Sequence, residues 1–208
     1  MKPIKVTHTN LLLWNSLRDL VFLENKDFEC ITINDICKRA AVHRSTFYNH
    51  FQDKYDLFTF GYRYYLLQKN NIAIEKQFFY PFTIYKMLNE QIHLHFFHFN
   101  YCDSLHALIY KLQREEMGRM LKRLVEVGYH LEIDVHIAVD LFLSIHMTFS
   151  EQIETGLLND EEADEIFQKF LCKPLVKKIH TSEKVEKVEI VKAKGFDIIY
   201  TCRSLFLF

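Results

Sequence analysis

Residues 31–58, ITINDICKRAAVHRSTFYNHFQDKYDLF, constrain this chain more than any other stretch. Thr32 can cap a helix, because its hydroxyl accepts from the free amides of a first turn. Ile33, Ile36, Cys37 and Ala40 then recur at helical spacing and give a short helix one apolar stripe. Ala41-Val42 makes a tight turn. Arg44 to Phe51 forms a second helix, with Phe47 and Phe51 pointing inward together. His43, Arg44, Ser45, Thr46, Tyr48, Asn49 and His50 are left facing out. That set supplies donors, acceptors and a planar cation, the groups that read base edges and grip phosphates. Asp53 can cap a third helix. Lys54 in its first turn is unfavourable against the helix dipole, so something outside, such as a phosphate, is expected to compensate it.

The rest of the chain supports a helical protein. Its 208 residues suffice for one or two domains with a substantial core. With 49% hydrophobic residues, 5 glycines and 3 prolines, an all-α, well-packed fold is expected. The 19 phenylalanines are read as filling a helical core and a dimer interface. Net charge is -1, and residues 1–60 hold eight Lys/Arg against seven Asp/Glu, so no basic field announces nucleic acid. DNA binding rests instead on the placement of a few side chains, and should be sensitive to salt. Five scattered cysteines without a C-x-x-C pair fit free thiols in a reducing cytosol. No apolar run reaches the length that spans a bilayer, and no signal peptide precedes the first helix, so a soluble cytoplasmic protein is expected.

In chain order, residues 1–6 read as a basic arm, and Thr7 or Thr9 caps a helix to about residue 25. Phe28 is expected under the head formed by residues 1–55. From Asp53 the pattern predicts a helix to roughly residue 76, ended by Pro81. Further helices are expected over 83–100, 103–111, 115–127, 134–155 and 161–178, with Asp103 and Asp134 as caps and Gly128 and Gly156 as stops. Residues 56–181 thus make a helical body. Residues 182–208 change character, and a small hairpin and an irregular extension both stay open there.

The head segment resembles the helix-turn-helix of the TetR family of bacterial transcriptional regulators. Thr32, Ile36, Arg39-Ala40, Val42, Ser45-Thr46-Phe47-Tyr48, His50-Phe51, Lys54 and Leu57 carry the resemblance. Ala41 stands where the family usually has a turn glycine, and Cys37 where it usually has alanine. Ala41 would be strained if the turn needs a positive φ. The resemblance implies a homodimer reading palindromic operator DNA, with the second motif helix in the major groove. Arg44 is expected to contact a base, with Thr46, Asn49 and Asn34 adding base or methyl contacts. Tyr48, His50, Lys54 and Thr32 match positions that grip phosphates, and His43 and Ser45 flank them. The resemblance further implies dimerisation through the last two helices of the body, and a small effector between its helices that releases DNA. Tyr62, Tyr65, Phe96, Phe97, Tyr101, Phe142 and His146 make an apolar or aromatic effector plausible. Repression is the expected sign of regulation, with control by a protein partner as an alternative.

One further constellation holds metal-ligand types. His95, His98, Cys102 and His106 recur at spacings of three and four, near His93. Imidazole and thiolate bind zinc or haem iron, so metal or haem sensing is a second alternative. One helical row reaches a single metal with two ligands more readily than four, and packed structural histidines are the preferred reading. No cofactor is expected. Neither a G-x-S-x-G, a phosphate loop, an H-E-x-x-H nor a cysteine nucleophile signature occurs, so an enzyme is not expected.

Overall fold

Local capping decides where the helices begin and end. A computed structural model of the chain describes residues 5–92 and 103–179. Thr7 caps α1 (His8–Arg18) by accepting from the Asn10 amide, and the helix runs on through a π-helical turn, Asp19–Leu23. Phe28–Cys30 forms a 3-10 turn. Then come α2 (Ile33–Arg39), α3 (Arg44–Tyr48) and α4 (Lys54–Gln68). The body follows with α5 (Ile74–Phe79), α6 (Pro81–Ile92), α7 (Asp103–Glu126), α8 (Val135–Glu154) and α9 (Asp160–Phe167). A π-helical turn and a short helix, α10 (Lys173–Leu175), close the helical part.

Several expectations are corrected here. The helix expected to residue 76 stops at Gln68, and a 3-10 turn, Lys69–Asn71, separates it from α5. Buried Gln77 holds that turn, donating to the carbonyls of Lys69 at 2.9 Å and Ile72 at 2.7 Å. Pro81 opens α6 rather than merely ending a helix, since its missing N–H costs nothing in a first turn. The two helices expected over 103–127 are one, α7. Strands are present as well: β1 (Tyr129–Leu131) pairs antiparallel with β2 (Val176–Lys178), Tyr129 opposite Lys178. The stops at Gly128 (φ 93) and Gly156 (φ 75) stand as expected.

Two separate apolar cores fill the described residues. The first joins α1, α2, α3 and α4 through Trp14, Phe28, Ile36, Phe47 and Phe58, and takes Leu105, Ile109 and Leu112 from α7. The second is built on Phe78, Phe82, Phe142 and Phe167, and takes Met117, Leu121 and Leu124 from the later turns of α7. Its rings meet edge-on: Phe78 and Phe142 centroids lie 5.1 Å apart, Phe82 and Phe167 5.8 Å. Asp164 of α9, 2% exposed, accepts from the amides of Phe82 and Thr83 at 3.0 Å each, so α9 caps the start of α6. Residues up to Lys178 form one compact unit, and the tail call on 182–208 lies outside the described residues.

Candidate nucleic-acid interface and interior polar residues

The two motif helices are fixed by a capping box and a C-terminal turn. Thr32 Oγ1 accepts from the Asp35 amide at 3.1 Å, while the Asp35 carboxylate accepts from the Thr32 amide at 2.9 Å. These bonds to Thr32 also hold the half-buried Asp35 carboxyl below the ordinary carboxylate range. At the other end of α2 the Val42 amide donates to the Cys37 carbonyl and the Ala41 amide to that of Lys38, a Schellman turn. Ala41 takes φ 52 there, so the departure from glycine does place an L side chain in the left-handed region. Arg39 joins Glu24 and, at 3.4 Å, Asp19, tying α2 to the end of the first helix.

From this frame α3 presents its polar side outward. Phe47 is buried at 0% exposure, whereas His43, Arg44, Ser45, Tyr48, Asn49 and His50 are exposed and Thr46 is half-buried. Thr32 and Asn34 are exposed on α2. Arg44 donates to the Tyr48 hydroxyl at 3.1 Å, with its guanidinium carbon 5.6 Å from that ring's centroid. The two side chains, one turn apart, therefore hold each other at the surface rather than folding onto the core.

Lys54 is placed differently from the rest. Its ammonium donates to the carbonyls of Phe28 at 2.8 Å, Glu29 at 3.1 Å and Ile31 at 3.1 Å, and stands 4.8 Å from the Phe28 ring. Those bonds use all three of its donors. The compensation expected from a phosphate thus comes from the chain's own carbonyls, and Lys54 holds the approach to α2 in place. Beside it, the Tyr55 hydroxyl lies 3.2 Å from the Glu29 carboxylate and 3.3 Å from the Ser104 hydroxyl of α7, and Ser104 donates to the same Glu29 carboxylate. Sequence reasoning missed this joint between head and α7, whose members lie far apart in the chain.

Of the expected effector residues, Tyr62 and Tyr65 are buried on α4, and burial pushes both phenols well up, keeping them neutral. Phe142 has no exposure and packs among Phe78 and Phe167. His146 stacks on Phe82 at 4.7 Å, and burial, with Lys69 nearby, pushes it down to about 3. Phe96, Phe97 and Tyr101 lie outside the described residues, as do His95, His98 and Cys102. His106 is exposed on α7, and no metal-binding group of three His, Cys, Asp or Glu comes together among the described residues. Of the described cysteines, Cys30 is exposed, and burial pushes the Cys37 and Cys172 thiols up. No helix among the described residues is long and apolar enough to cross a membrane.

A capped helix-turn-helix with an outward polar helix, set on a helical body, is the build of a DNA-binding regulator. Residues 22–59 match the profile of the family described as bacterial regulatory proteins, tetR family. The match covers the helix-turn-helix head, which is of that family's type. The fold of the chain is similar to that of a TetR-family transcriptional regulator from Syntrophomonas wolfei str. Goettingen, at TM-score 0.56 and 15% identity, covering 78% of this chain and 92% of that one. A transcriptional regulator from Rhodococcus sp. RHA1 is more distant, at TM-score 0.45 and 16% identity over 79% of this chain and 95% of that chain. No curated protein matches the sequence.

Proposed function

We propose that the chain is a cytoplasmic, homodimeric repressor that binds a palindromic operator through α3 and lets go when a small apolar or aromatic ligand enters its body. The carrying observation is the exposed Arg44–Tyr48 pair on a helix whose Phe47 is locked in the core. Arg44 reads a base, with guanine the best match to its bidentate donors. Ser45, Thr46, Asn49 and Asn34 add base or methyl contacts, while Tyr48, His43, His50 and Thr32 meet phosphates and set affinity. Lys54 acts from beneath by holding the loop that starts α2.

The dimer reading is supported by apolar side chains left outward on and beside the last helices. Ile137 is 62% exposed, Leu157 72% and Phe170 63%. Such surface is costly to leave in water and suits a second copy. Ala138 and Phe142 on the same helix are in the chain's own core. Release follows if the ligand prefers one spacing of the two heads, and the Tyr55–Glu29–Ser104 joint ties α7 to the head where such a preference would be felt. The family is one of regulators, and a catalytic role is not proposed.

Selection of purified protein on a pool of random duplexes tests the operator reading. Wild type should enrich a palindrome with half-sites about one or two helical turns apart. Arg44→Ala should lose or relax it. A wild type that enriches nothing at low salt, or an Arg44→Ala profile equal to wild type, would refute the assignment.

A further inference from the structure

Arginines of this chain are held in two ways. Arg18, Arg39, Arg114 and Arg119 each meet a carboxylate, on Asp19, Glu24, Asp140 and Glu116 in turn. Arg44 meets none among the described residues, and its partner is a neutral phenol, the Tyr48 hydroxyl at 3.1 Å. A carboxylate at that place would cancel the charge and repel a phosphate backbone. A hydroxyl orients the guanidinium and leaves it fully cationic.

The phenol is itself anchored. Phe47 has no exposure, and its ring meets the Tyr48 ring edge-on with centroids 5.6 Å apart. Phe51 backs Phe47 at 5.9 Å. The guanidinium carbon of Arg44 stands 5.6 Å from the Tyr48 centroid, so ring and hydroxyl both hold it. Support thus runs from the buried core through an exposed ring to a charge on the first residue of α3, the end of a recognition helix that reaches base edges. An unrestrained arginine loses rotamer freedom when it docks, and one held in advance loses less.

The arrangement also leaves donors over. One Arg44 N–H goes to Tyr48 and the others remain for a base, while the Tyr48 hydroxyl, accepting from Arg44, keeps its own proton for a phosphate oxygen. A phenol that donates to phosphate becomes a stronger acceptor, so gripping the backbone tightens the hold on Arg44. We propose that Tyr48 is the positioning residue of the reading head: it presents the Arg44 guanidinium to the base edge, and discrimination at the base pair that Arg44 reads depends on the Tyr48 hydroxyl. The proposal rests on the reading of Arg44 as a base contact and goes beyond the affinity role of Tyr48 as a phosphate contact.

The test uses the full chain and the operator selected by wild type, with each base pair of a half-site substituted in turn and binding followed by fluorescence anisotropy. Arg44→Ala identifies the base pair that Arg44 reads, as the one whose substitution no longer matters. Tyr48→Phe keeps the ring on Phe47 and removes the hydroxyl alone, and its circular dichroism melt should match wild type. It should weaken binding to every duplex by a common factor. Beyond that, it should cut discrimination at the Arg44 base pair from about tenfold or more to about threefold or less, with other base pairs read as before. In the Arg44→Ala background, Tyr48→Phe should keep the common factor and change no discrimination. Nitrogen relaxation of the Arg44 side chain gives a readout without DNA: it should be ordered in wild type and looser in Tyr48→Phe. A uniform loss of affinity with discrimination intact, or equal order in the two proteins, overturns the positioning role while leaving Arg44 as the reader. An Arg44→Ala profile equal to wild type, or no operator selected, overturns the reading of Arg44 and the positioning role with it.

Discussion

Gly61 faces the Trp14 indole so closely that a Cβ at position 61 would come within 2.2 Å of the ring. Trp14 is 1% exposed and meets Phe58 edge-on at 5.9 Å, so it has nowhere to retreat. Gly61→Ala should therefore lower stability by about 1–3 kcal/mol through overpacking. Gly118→Ala is the contrast: its Cβ would lie 3.8 Å from Val139, an ordinary contact inside α7. It should raise stability by about 0.5–1 kcal/mol from helix propensity alone. Urea denaturation of both variants decides it, and shifts of the same sign would refute the close α1–α4 contact.

Ala41 carries φ 52 at a turn that suits glycine. Ala41→Gly relieves a left-handed penalty of about 1–2 kcal/mol, offset by about 0.5–1 kcal/mol of added chain entropy. A modest rise in melting temperature is expected, with operator affinity unchanged. A fall would show that the turn is unstrained.

Arg44 and Lys54 are both cations of the head, but they should fail differently. Arg44→Ala should leave the melt unchanged and remove about 1–3 kcal/mol of discrimination at one base pair. Lys54→Met strips a donor from three carbonyls, so it should destabilise the head and weaken binding on all sequences alike. Paired melts and binding profiles separate the two. A Lys54→Met protein that melts like wild type would argue against its internal role.

His146 makes stability depend on pH. Its folded value is about 3 against an ordinary 6.5, chiefly from burial. As pH falls through 6.5 the unfolded chain takes up a proton there and the folded chain does not. The contribution is therefore complete above pH 6.5 and is lost progressively towards pH 3. The ceiling is about 1.4 kcal/mol per pH unit, reduced because His146 is only half-buried. His146→Phe should flatten the decline of melting temperature over that interval; parallel curves for wild type and variant would refute it.

Features written in neighbouring residues were legible in advance. Thr32, Asp53 and Asp134 cap helices as their side-chain chemistry requires, and Gly128 and Gly156 end them. The helix-turn-helix was readable for the same reason, since its bonds close over a few residues. What escaped depends on partners far away. Lys54 finds carbonyls more than twenty residues earlier, and Val176 to Lys178 leaves the helix for a strand because Tyr129 to Leu131 offers an edge. The division of α7 into two failed for want of a breaker, because Gln113 and Arg114 are good helix formers.

The bond from the Phe82 amide to Asp164 spans 82 residues, and it orders events during synthesis. While the ribosome is still making the middle of the chain, the local bonds of the helix-turn-helix can already close, yet α6 has no acceptor for its first amides. The second core can therefore settle only once α9 has emerged, and a copy terminated before Asp164 would leave the start of α6 uncapped.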